Sequence, residues 1–158
     1  MRIGHGIDAH RLVPGRPLML GGVEVPHHAG LEGHSDGDAA SHALCDAVLG
    51  AAGLGDLGRH FPSSDERWRG AAAVDLLRHV ATLARDAGYA VASAQVVIIA
   101  QAPRLAPHTA AMAAALAAAL GADPGCVAVS ATSTDGMGFT GRGEGIAASA
   151  VVLLRSIH

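Results

Sequence analysis

The chain has 158 residues, which is enough for a hydrophobic core, and we expect residues 1–158 to form one domain. Half of the residues are hydrophobic but only 3% are aromatic, so alanine, valine and leucine must build the core. The formal net charge is −3 and no block of lysine and arginine occurs, which argues against nucleic-acid and membrane partners. Cys45 and Cys126 are too isolated to suggest a disulfide framework, so we expect a cytoplasmic location.

The first elements predicted, in the N-terminal third of the chain, are strands. Residues 3–12 are typical of a strand weakened by glycines. Residues 17–26 predict a hairpin, because Gly21-Gly22 separates two short apolar runs, which is a strong signal for a two-residue turn. Residues 27–33 are then expected to form a loop.

A helix is predicted over residues 36–52, with Ser35 as its N-cap. Asp36 and Asp38 would lie in its first turn, where the helix dipole favours negative charge. The following residues, 53–70, are rich in glycine, proline, serine and charge. A loop of that length in a compact domain usually serves a function.

The remaining elements alternate between helix and strand. In chain order they are a helix over 71–87, strands over 91–100 and 127–132 with a helix over 107–120 between them, a glycine-rich loop over 138–145 and a strand over 146–154. This alternation predicts an α/β (α+β) single domain. We expect a mixed β-sheet packed with about three helices, plus a small N-terminal hairpin.

A carboxylate and two imidazoles form the most informative pattern. Asp8 and His10 are two residues apart, so on a strand they project from the same face. His42 lies on the predicted helix, with Asp38 and Asp46 four residues away on either side. Three such ligands suit a divalent metal, zinc above all, with the fourth position open to water or substrate. The alternative is a solvated helix face with paired charges.

Two further segments indicate anion binding. His34 and Ser35 precede the predicted helix, whose free N–H groups attract phosphate. The segment from Thr132 to Gly145 combines hydroxyls, glycines and Arg142, which can bind an oxyanion, and Asp135 is a suitable ligand for a hard cation. The alternative is a structural turn between two strands, and no P-loop motif occurs in the chain.

Taken together, these segments resemble the 2-C-methyl-D-erythritol 2,4-cyclodiphosphate synthase family of the non-mevalonate isoprenoid pathway. The matching stretches are Arg2 to Gly6 with Asp8 and His10, Gly21-Gly22-Val23, His34 to Asp38 with His42-Ala43-Leu44, Gly55 to Gly58, Phe61-Pro62, Ile98 to Pro103 and Gly138 to Gly145. They cover the chain from end to end.

The resemblance implies an enzyme, a metal-dependent phosphorus–oxygen lyase. It would convert 4-diphosphocytidyl-2-C-methyl-D-erythritol 2-phosphate into the cyclic diphosphate and CMP by intramolecular phosphoryl transfer. The resemblance also implies one Zn²⁺ per active site on Asp8, His10 and His42. A second cation, Mg²⁺ or Mn²⁺, would be bound at Asp135, which stands at the family's glutamate position and is shorter by one CH₂. His34 and Ser133 would then stabilise the phosphates in the transition state.

By the same resemblance, Asp56 and Gly58 would bind the ribose, and the loop from Ala100 to Ala106 would recognise cytosine. The positions that match the family's substrate contacts are Asp8, His10, His34, Ser35, Asp56, Gly58, Phe61, Ser63, Asp65, Ala100, Arg104, Leu105, Ala106, Thr132, Ser133, Thr134, Asp135, Phe139 and Arg142.

The resemblance further implies a homotrimer with active sites between adjacent subunits. Phe139 and Arg142 would line a central cavity that holds an isoprenoid diphosphate. Two alternatives are a metal-dependent hydrolase of phosphate esters and a non-enzymatic trimeric module that binds isoprenoid diphosphates. The open three-ligand set argues against the second of these, because structural zinc usually has four protein ligands.

Overall fold

A computed structural model describes residues 1–158, which form a mixed five-stranded sheet and a separate two-stranded hairpin. The strands are β1 (Arg2–Pro14), β2 (Leu18–Leu20), β3 (Val23–Val25), β4 (Ala29–Leu31), β5 (Tyr89–Ile99), β6 (Val127–Thr132) and β7 (Gly145–Ser156). The order in the large sheet is β4-β1-β7-β5-β6, and only the β5–β6 pair is parallel. This confirms the predicted mixed sheet, and β2 and β3 confirm the predicted hairpin.

Three longer helices pack together on one face of the sheet, and two short ones lie in loops. The helices are α1 (Ala39–Ala52), α2 (Leu57–His60), α3 (Ala73–Asp86), α4 (Thr109–Leu120) and α5 (Gly138–Gly141), with 3₁₀ turns at Glu66–Trp68, Ala106–His108 and Pro124–Cys126. Helix α1 lies on β1 and β7, α4 lies on β6, and α3 contacts both helices. None of these helices is both long and apolar enough to cross a membrane.

Two glycines allow α1 to approach β1 unusually closely. A Cβ atom at Gly4 would collide with the carbonyl oxygen of Ala47, and one at Gly6 would collide with that of Ala43. Both glycines lie on the face of β1 that carries Asp8. The small residues therefore bring the helix backbone against the strand, and the helix side chains come within reach of the carboxylate.

The structure corrects several predicted boundaries. Ser35 is not the N-cap of α1, because the helix begins at Ala39 and the carboxylate of Asp38 accepts the N–H of Ser41. The loop predicted over residues 27–33 contains β4, which forms because it pairs with the end of β1. The loop predicted over residues 53–70 contains α2, for which Asp56 provides the N-cap.

The face of the sheet opposite the helices carries several exposed apolar side chains among polar ones in the single chain. Ile3 and Ile7 of β1 are 74% and 68% exposed, and Val151 of β7 is 40% exposed. His5 lies between the two isoleucines, and its Nε2 is 2.9 Å from the Oγ of Ser149. Apolar patches of this kind usually mark a protein–protein interface.

Candidate active site

Three predicted ligands meet where β1 passes beneath α1. The Oδ2 of Asp8 lies 2.7 Å from the Nε2 of His10 and 3.2 Å from the Nδ1 of His42, and the two nitrogens are 3.2 Å apart. Ligand atoms around a tetrahedral zinc ion are separated by roughly 3.3 Å, given zinc–nitrogen distances of about 2.0–2.1 Å. The two separations of 3.2 Å are close to that spacing, and the 2.7 Å between Asp8 and His10 is a hydrogen-bond length. The cluster therefore has the ligand types that could hold a tetrahedral divalent metal, with ligand atoms near the required spacing.

The hydrogen bonds behind the two imidazoles determine which nitrogen faces the cluster. The Nδ1 of His10 lies 2.7 Å from the carbonyl oxygen of Glu32, to which it must donate. The Nε2 of His42 lies 2.9 Å from the Oγ of Ser35. With protons on those outer nitrogens, a neutral His10 presents its Nε2 lone pair to the cluster and a neutral His42 presents its Nδ1 lone pair.

The cluster perturbs the ionisation of its own members. Burial tends to raise the pKa of Asp8. In the metal-free protein, hydrogen bonds donated by the inner nitrogens of His10 and His42 outweigh burial, and the pKa of Asp8 falls to about 2. Burial tends to lower the pKa of His10, but the hydrogen bond with Asp8 and its negative charge outweigh it, so the pKa of His10 is raised. Both shifts show that positive charge is favoured beside Asp8, which a metal cation would supply.

Asp38 connects the cluster's helix to the N-terminal hairpin. Its carboxylate is fully buried and accepts the backbone N–H groups of Gly21 and Gly22, each at 2.8 Å. It also accepts the N–H and the hydroxyl of Ser41, at 3.0 and 2.7 Å. One carboxylate thus binds both the turn of the hairpin and the first turn of α1. His42 follows Ser41 directly in that first helical turn.

The cluster of Asp8, His10 and His42 opens into a cavity of about 170 Å³. Its lining combines polar and apolar side chains, namely Asp8, His10, His34, Ser35, His42, Asp46, Leu57, Phe61, Ser63, Trp68 and Leu76. The structure therefore brings together seven of the predicted site residues, those at 8, 10, 34, 35, 42, 61 and 63. The apolar part of the lining offers a surface for a hydrocarbon portion of a ligand.

A second cavity, of about 300 Å³, lies at the carboxyl ends of β5 and β6. It is lined by Ala100, Gln101, Pro103, Arg104, Leu105, Ala106, Ala131, Thr132 and Ser133. Predicted residues 100, 104–106, 132 and 133 therefore lie together, but they share no lining residue with the metal cavity. Within one chain, the predicted site is divided between the two cavities.

The other predicted residues line neither cavity. Asp56 accepts the N–H of Arg59, and Gly58 follows in the same short helix. Asp65 is paired with the guanidinium of Arg67, whose hydrogen bonds lower the pKa of Asp65. Thr134 is bonded through its hydroxyl to that of Thr140, at 2.9 Å.

Asp135, Phe139 and Arg142 lie on the glycine-rich segment. Asp135 has a left-handed backbone (φ 52°), and its Oδ1 accepts the hydroxyl of Ser133 at 3.2 Å. Phe139 is 45% exposed and borders a shallow cavity beside His10. The Nε of Arg142 donates to Glu144 at 2.6 Å.

Sequence reasoning missed three residues that line this cavity, namely Leu57, Trp68 and Leu76, whereas Asp46 had been placed beside His42 on the predicted helix. Asp46 accepts the N–H of Leu57 at 2.7 Å and so attaches α2 to α1. Trp68 packs edge-on against Phe61, with ring centroids 4.9 Å apart. The available signal was that Trp68 is the single tryptophan of the chain and lies in a polar segment, since tryptophan side chains contribute strongly to packing and binding surfaces.

Comparisons with known proteins agree over nearly the whole chain. A family model described as the YgbB family matches residues 1–155. The 2-C-methyl-D-erythritol 2,4-cyclodiphosphate synthase of Geobacter sulfurreducens is 55% identical over 154 residues, which cover 98% of each protein. A solved structure of a 2C-methyl-D-erythritol-2,4-cyclodiphosphate synthase in its CDP-bound form matches at a TM-score of 0.89 and 40% identity, over 98% of this chain and 100% of that one.

A longer relative contains the same fold as one part. The bifunctional IspDF from Campylobacter jejuni matches at a TM-score of 0.94 and 38% identity. The match covers 98% of this chain but 42% of that longer one.

Proposed function

The chain belongs to the YgbB family, and we propose that its metal cluster and its two cavities together form the active site of that family's reaction. It converts 4-diphosphocytidyl-2-C-methyl-D-erythritol 2-phosphate into 2-C-methyl-D-erythritol 2,4-cyclodiphosphate and CMP, in the non-mevalonate isoprenoid pathway. The chain is thus a lyase. The full-length family match supports this reaction, and the convergence of Asp8, His10 and His42 supplies the site for it.

In the reaction, an oxygen of the substrate's 2-phosphate attacks the β-phosphorus, and the bond from that phosphorus to the CMP oxygen breaks. The protein must hold the attacking oxygen, the β-phosphorus and the leaving oxygen in line and must neutralise the negative charge of the phosphates, as in other phosphoryl transfers. We assign Zn²⁺ to Asp8, His10 and His42; when bound, it supplies Lewis acidity toward the diphosphate. His34 and Ser133 would donate hydrogen bonds to the phosphate oxygens as charge develops.

The two cavities suggest separate tasks for the two ends of the substrate. The apolar wall formed by Leu57, Phe61 and Leu76 suits the methylerythritol carbons next to the metal. The cavity with Ala100, Arg104 and Thr132 suits the cytosine. Asp56 and Gly58 would bind the ribose, and Ser35, Ser63, Asp65, Leu105, Ala106 and Thr134 complete the proposed contacts.

A second cation, Mg²⁺ or Mn²⁺, is proposed at Asp135. The carboxylate of Asp135 is exposed, and its only side-chain bond is to the neighbouring Ser133, so it is accessible to a hard cation. We also propose that the enzyme acts in the reducing cytoplasm, because Cys45 and Cys126 are both free thiols.

We propose a homotrimer in which a site forms between adjacent subunits. Two observations support it: the metal cluster and Ser133 line different cavities of one chain, and the sheet face with Ile3, Ile7 and Val151 carries exposed apolar side chains. Burying that face against other copies would remove it from water. Phe139 and Arg142 would then border a central cavity suited to an isoprenoid diphosphate.

Phosphorus-31 NMR of the purified protein with the substrate, Zn²⁺ and Mg²⁺ tests the reaction directly. We expect CMP and a cyclic diphosphate, which His42→Ala should abolish and the matched control His158→Ala should leave unchanged. Linear phosphate products would instead indicate a hydrolase. An unchanged substrate spectrum would leave only a binding module.

Complementation tests the shared site. His42→Ala and Ser133→Ala variants, each inactive alone, are co-expressed with different affinity tags and purified as mixed oligomers. If the site joins two subunits, some interfaces in the mixture combine an intact cluster with an intact Ser133, and activity returns. Mixed oligomers without activity would contradict a shared site, and a monomer in light scattering would contradict the trimer.

A further inference from the structure

The hydroxyl of Ser35 is the only side-chain partner behind the two imidazoles of the metal cluster. We propose that Ser35 is a positioning residue that orients His42 and keeps its Nδ1 free for the metal. The inference deepens the proposed function, because it rests on the metal site at Asp8, His10 and His42. It differs from the substrate contact expected of Ser35, since it assigns the side chain to the protein's own histidine.

The geometry leaves one arrangement of protons that is compatible with a metal. The Oγ of Ser35 lies 2.9 Å from the Nε2 of His42, and both residues are only 7% exposed. A neutral imidazole carries one proton. If the Ser35 hydroxyl donated to Nε2, the single proton of the imidazole ring would have to be on Nδ1, the atom that lies 3.2 Å from Asp8. A metal ligand at Nδ1 therefore requires that Nε2 donates and that Ser35 accepts.

Ser35 is free for this role because other residues perform the structural tasks nearby. Asp38 caps α1, and the only hydrogen-bond partner of the Ser35 hydroxyl is His42. The backbone of Ser35 is held separately, since the guanidinium of Arg16 donates to its carbonyl oxygen at 3.1 Å. The hydroxyl is thus presented to the imidazole by a backbone that is anchored independently of it.

The segment around Ser35 is fixed from its other side as well. The N–H of Gly70 donates to the carbonyl of His34 at 2.9 Å, and the N–H of Asp36 donates to the carbonyl of Ala71 at 3.1 Å. These contacts fix the backbone position from which the Ser35 hydroxyl reaches His42. Outer-layer partners of this kind orient metal-binding histidines and increase their basicity.

The two histidines of the cluster differ in a way that makes Ser35 the informative position. The outer partner of His10 is the backbone carbonyl of Glu32, which can only accept and which no substitution removes. The outer partner of His42 is a side chain. Replacing Ser35 therefore removes one hydrogen-bond partner of the cluster without changing Asp8, His10 or His42, the proposed metal ligands.

The test measures binding of Zn²⁺ alone to metal-free protein, in competition with a chromophoric chelator. We expect Ser35→Ala to weaken zinc binding about 10- to 100-fold, the usual loss for an outer-layer partner. Ser35→Thr keeps the hydroxyl and should retain most of the affinity. The matched control is Ser93→Ala, because Ser93 is exposed and its hydroxyl makes no hydrogen bond to the protein.

A second measurement does not depend on the variant folding. In nitrogen-15-labelled, zinc-loaded unaltered protein, the Nε2 proton of His42 should give a resonance protected from exchange with water. Zinc affinity within twofold of the unaltered chain in a folded Ser35→Ala variant, or a freely exchanging Nε2 proton, would overturn the proposal. Failure of the unaltered chain to bind Zn²⁺ would overturn the metal site itself, and this inference with it.

Discussion

Replacing Asp38 with alanine should separate the N-terminal hairpin from α1. The carboxylate of Asp38 is completely buried and accepts four hydrogen bonds, from the N–H groups of Gly21, Gly22 and Ser41 and from the Ser41 hydroxyl. Alanine removes all four acceptor contacts and places a methyl group that can accept none of them. The loss therefore affects helix capping and tertiary attachment together.

The magnitude follows from those contacts. Loss of a helix N-cap costs about 1 kcal/mol. The N–H groups of buried Gly21 and half-buried Gly22 are left without their acceptor. A buried donor without a partner costs about 1–3 kcal/mol, and the half-buried one should cost less because water can reach it. We therefore expect the free energy of unfolding to fall by about 4 kcal/mol. For a protein of this size the midpoint temperature should decrease by roughly 8–16 °C, at about 2–4 °C per kcal/mol.

Urea unfolding followed by circular dichroism measures the change, with metal removed so that ligand binding does not contribute. Asp38→Asn keeps one acceptor oxygen but presents an amide N–H₂ to the other donors, so we expect an intermediate loss. Asp123→Asn is the matched control, because Asp123 is exposed and its side chain caps nothing. A loss below about 0.5 kcal/mol for Asp38→Ala, the range of ordinary surface substitutions, would show that Asp38 does not stabilise the hairpin and α1 through these four contacts.

Two other perturbations test the contact of β1 with α1 and the charges beneath it. Gly6→Ala should push α1 away from β1, because the new Cβ collides with the Ala43 carbonyl oxygen, and it should lower both the free energy of unfolding and the affinity for zinc. Gly125→Ala is the control, because Gly125 has open space around it. Equal effects of the two substitutions would contradict a close approach of α1 at Gly6. In metal-free protein, the lowered pKa of Asp8 adds stability that is lost as the pH falls from 3.8 through about 2. The raised pKa of His10 adds stability that is present below pH 6.5 and is lost as the pH rises through the raised pKa of the folded state. The difference in thermal stability between the unaltered chain and Asp8→Asn should therefore be largest between pH 4 and 6.5 and should become smaller at higher pH. A difference that grows toward alkaline pH would contradict a stabilising pair of Asp8 and protonated His10.

Local signals in the sequence were sufficient for the elements whose geometry is set by neighbouring residues. Gly21-Gly22 predicted the hairpin, and the structure pairs Leu18–Leu20 with Val23–Val25 around it. The two-residue spacing of Asp8 and His10 predicted a shared face, and both side chains contact His42. Turn conformation and the alternation of strand side chains depend on only a few consecutive residues, which is why the sequence suffices for them.

The N-cap of α1 shows where local reasoning failed. Ser35 and Asp38 are both good N-cap residues, so their types alone do not choose between them. Asp38 caps the helix because the hairpin turn places the N–H groups of Gly21 and Gly22 beside its carboxylate. Ser35 is thereby left to contact His42, a contact that no local pattern indicates.

The ligand types, the shared face of Asp8 and His10, and the family resemblance could all be predicted from the amino-acid sequence alone. Which elements meet became clear only from the three-dimensional fold: Gly4 and Gly6 admit α1 against β1, β4 forms by pairing with the end of β1, and Ser133 lies in a cavity apart from Asp8, His10 and His42. These contacts join residues that are far apart in the sequence, so no local pattern predicts them. A three-residue strand such as β4 has too few residues to be stable alone, so it exists only where a distant partner satisfies its backbone hydrogen bonds, and that partner is not encoded in the strand itself.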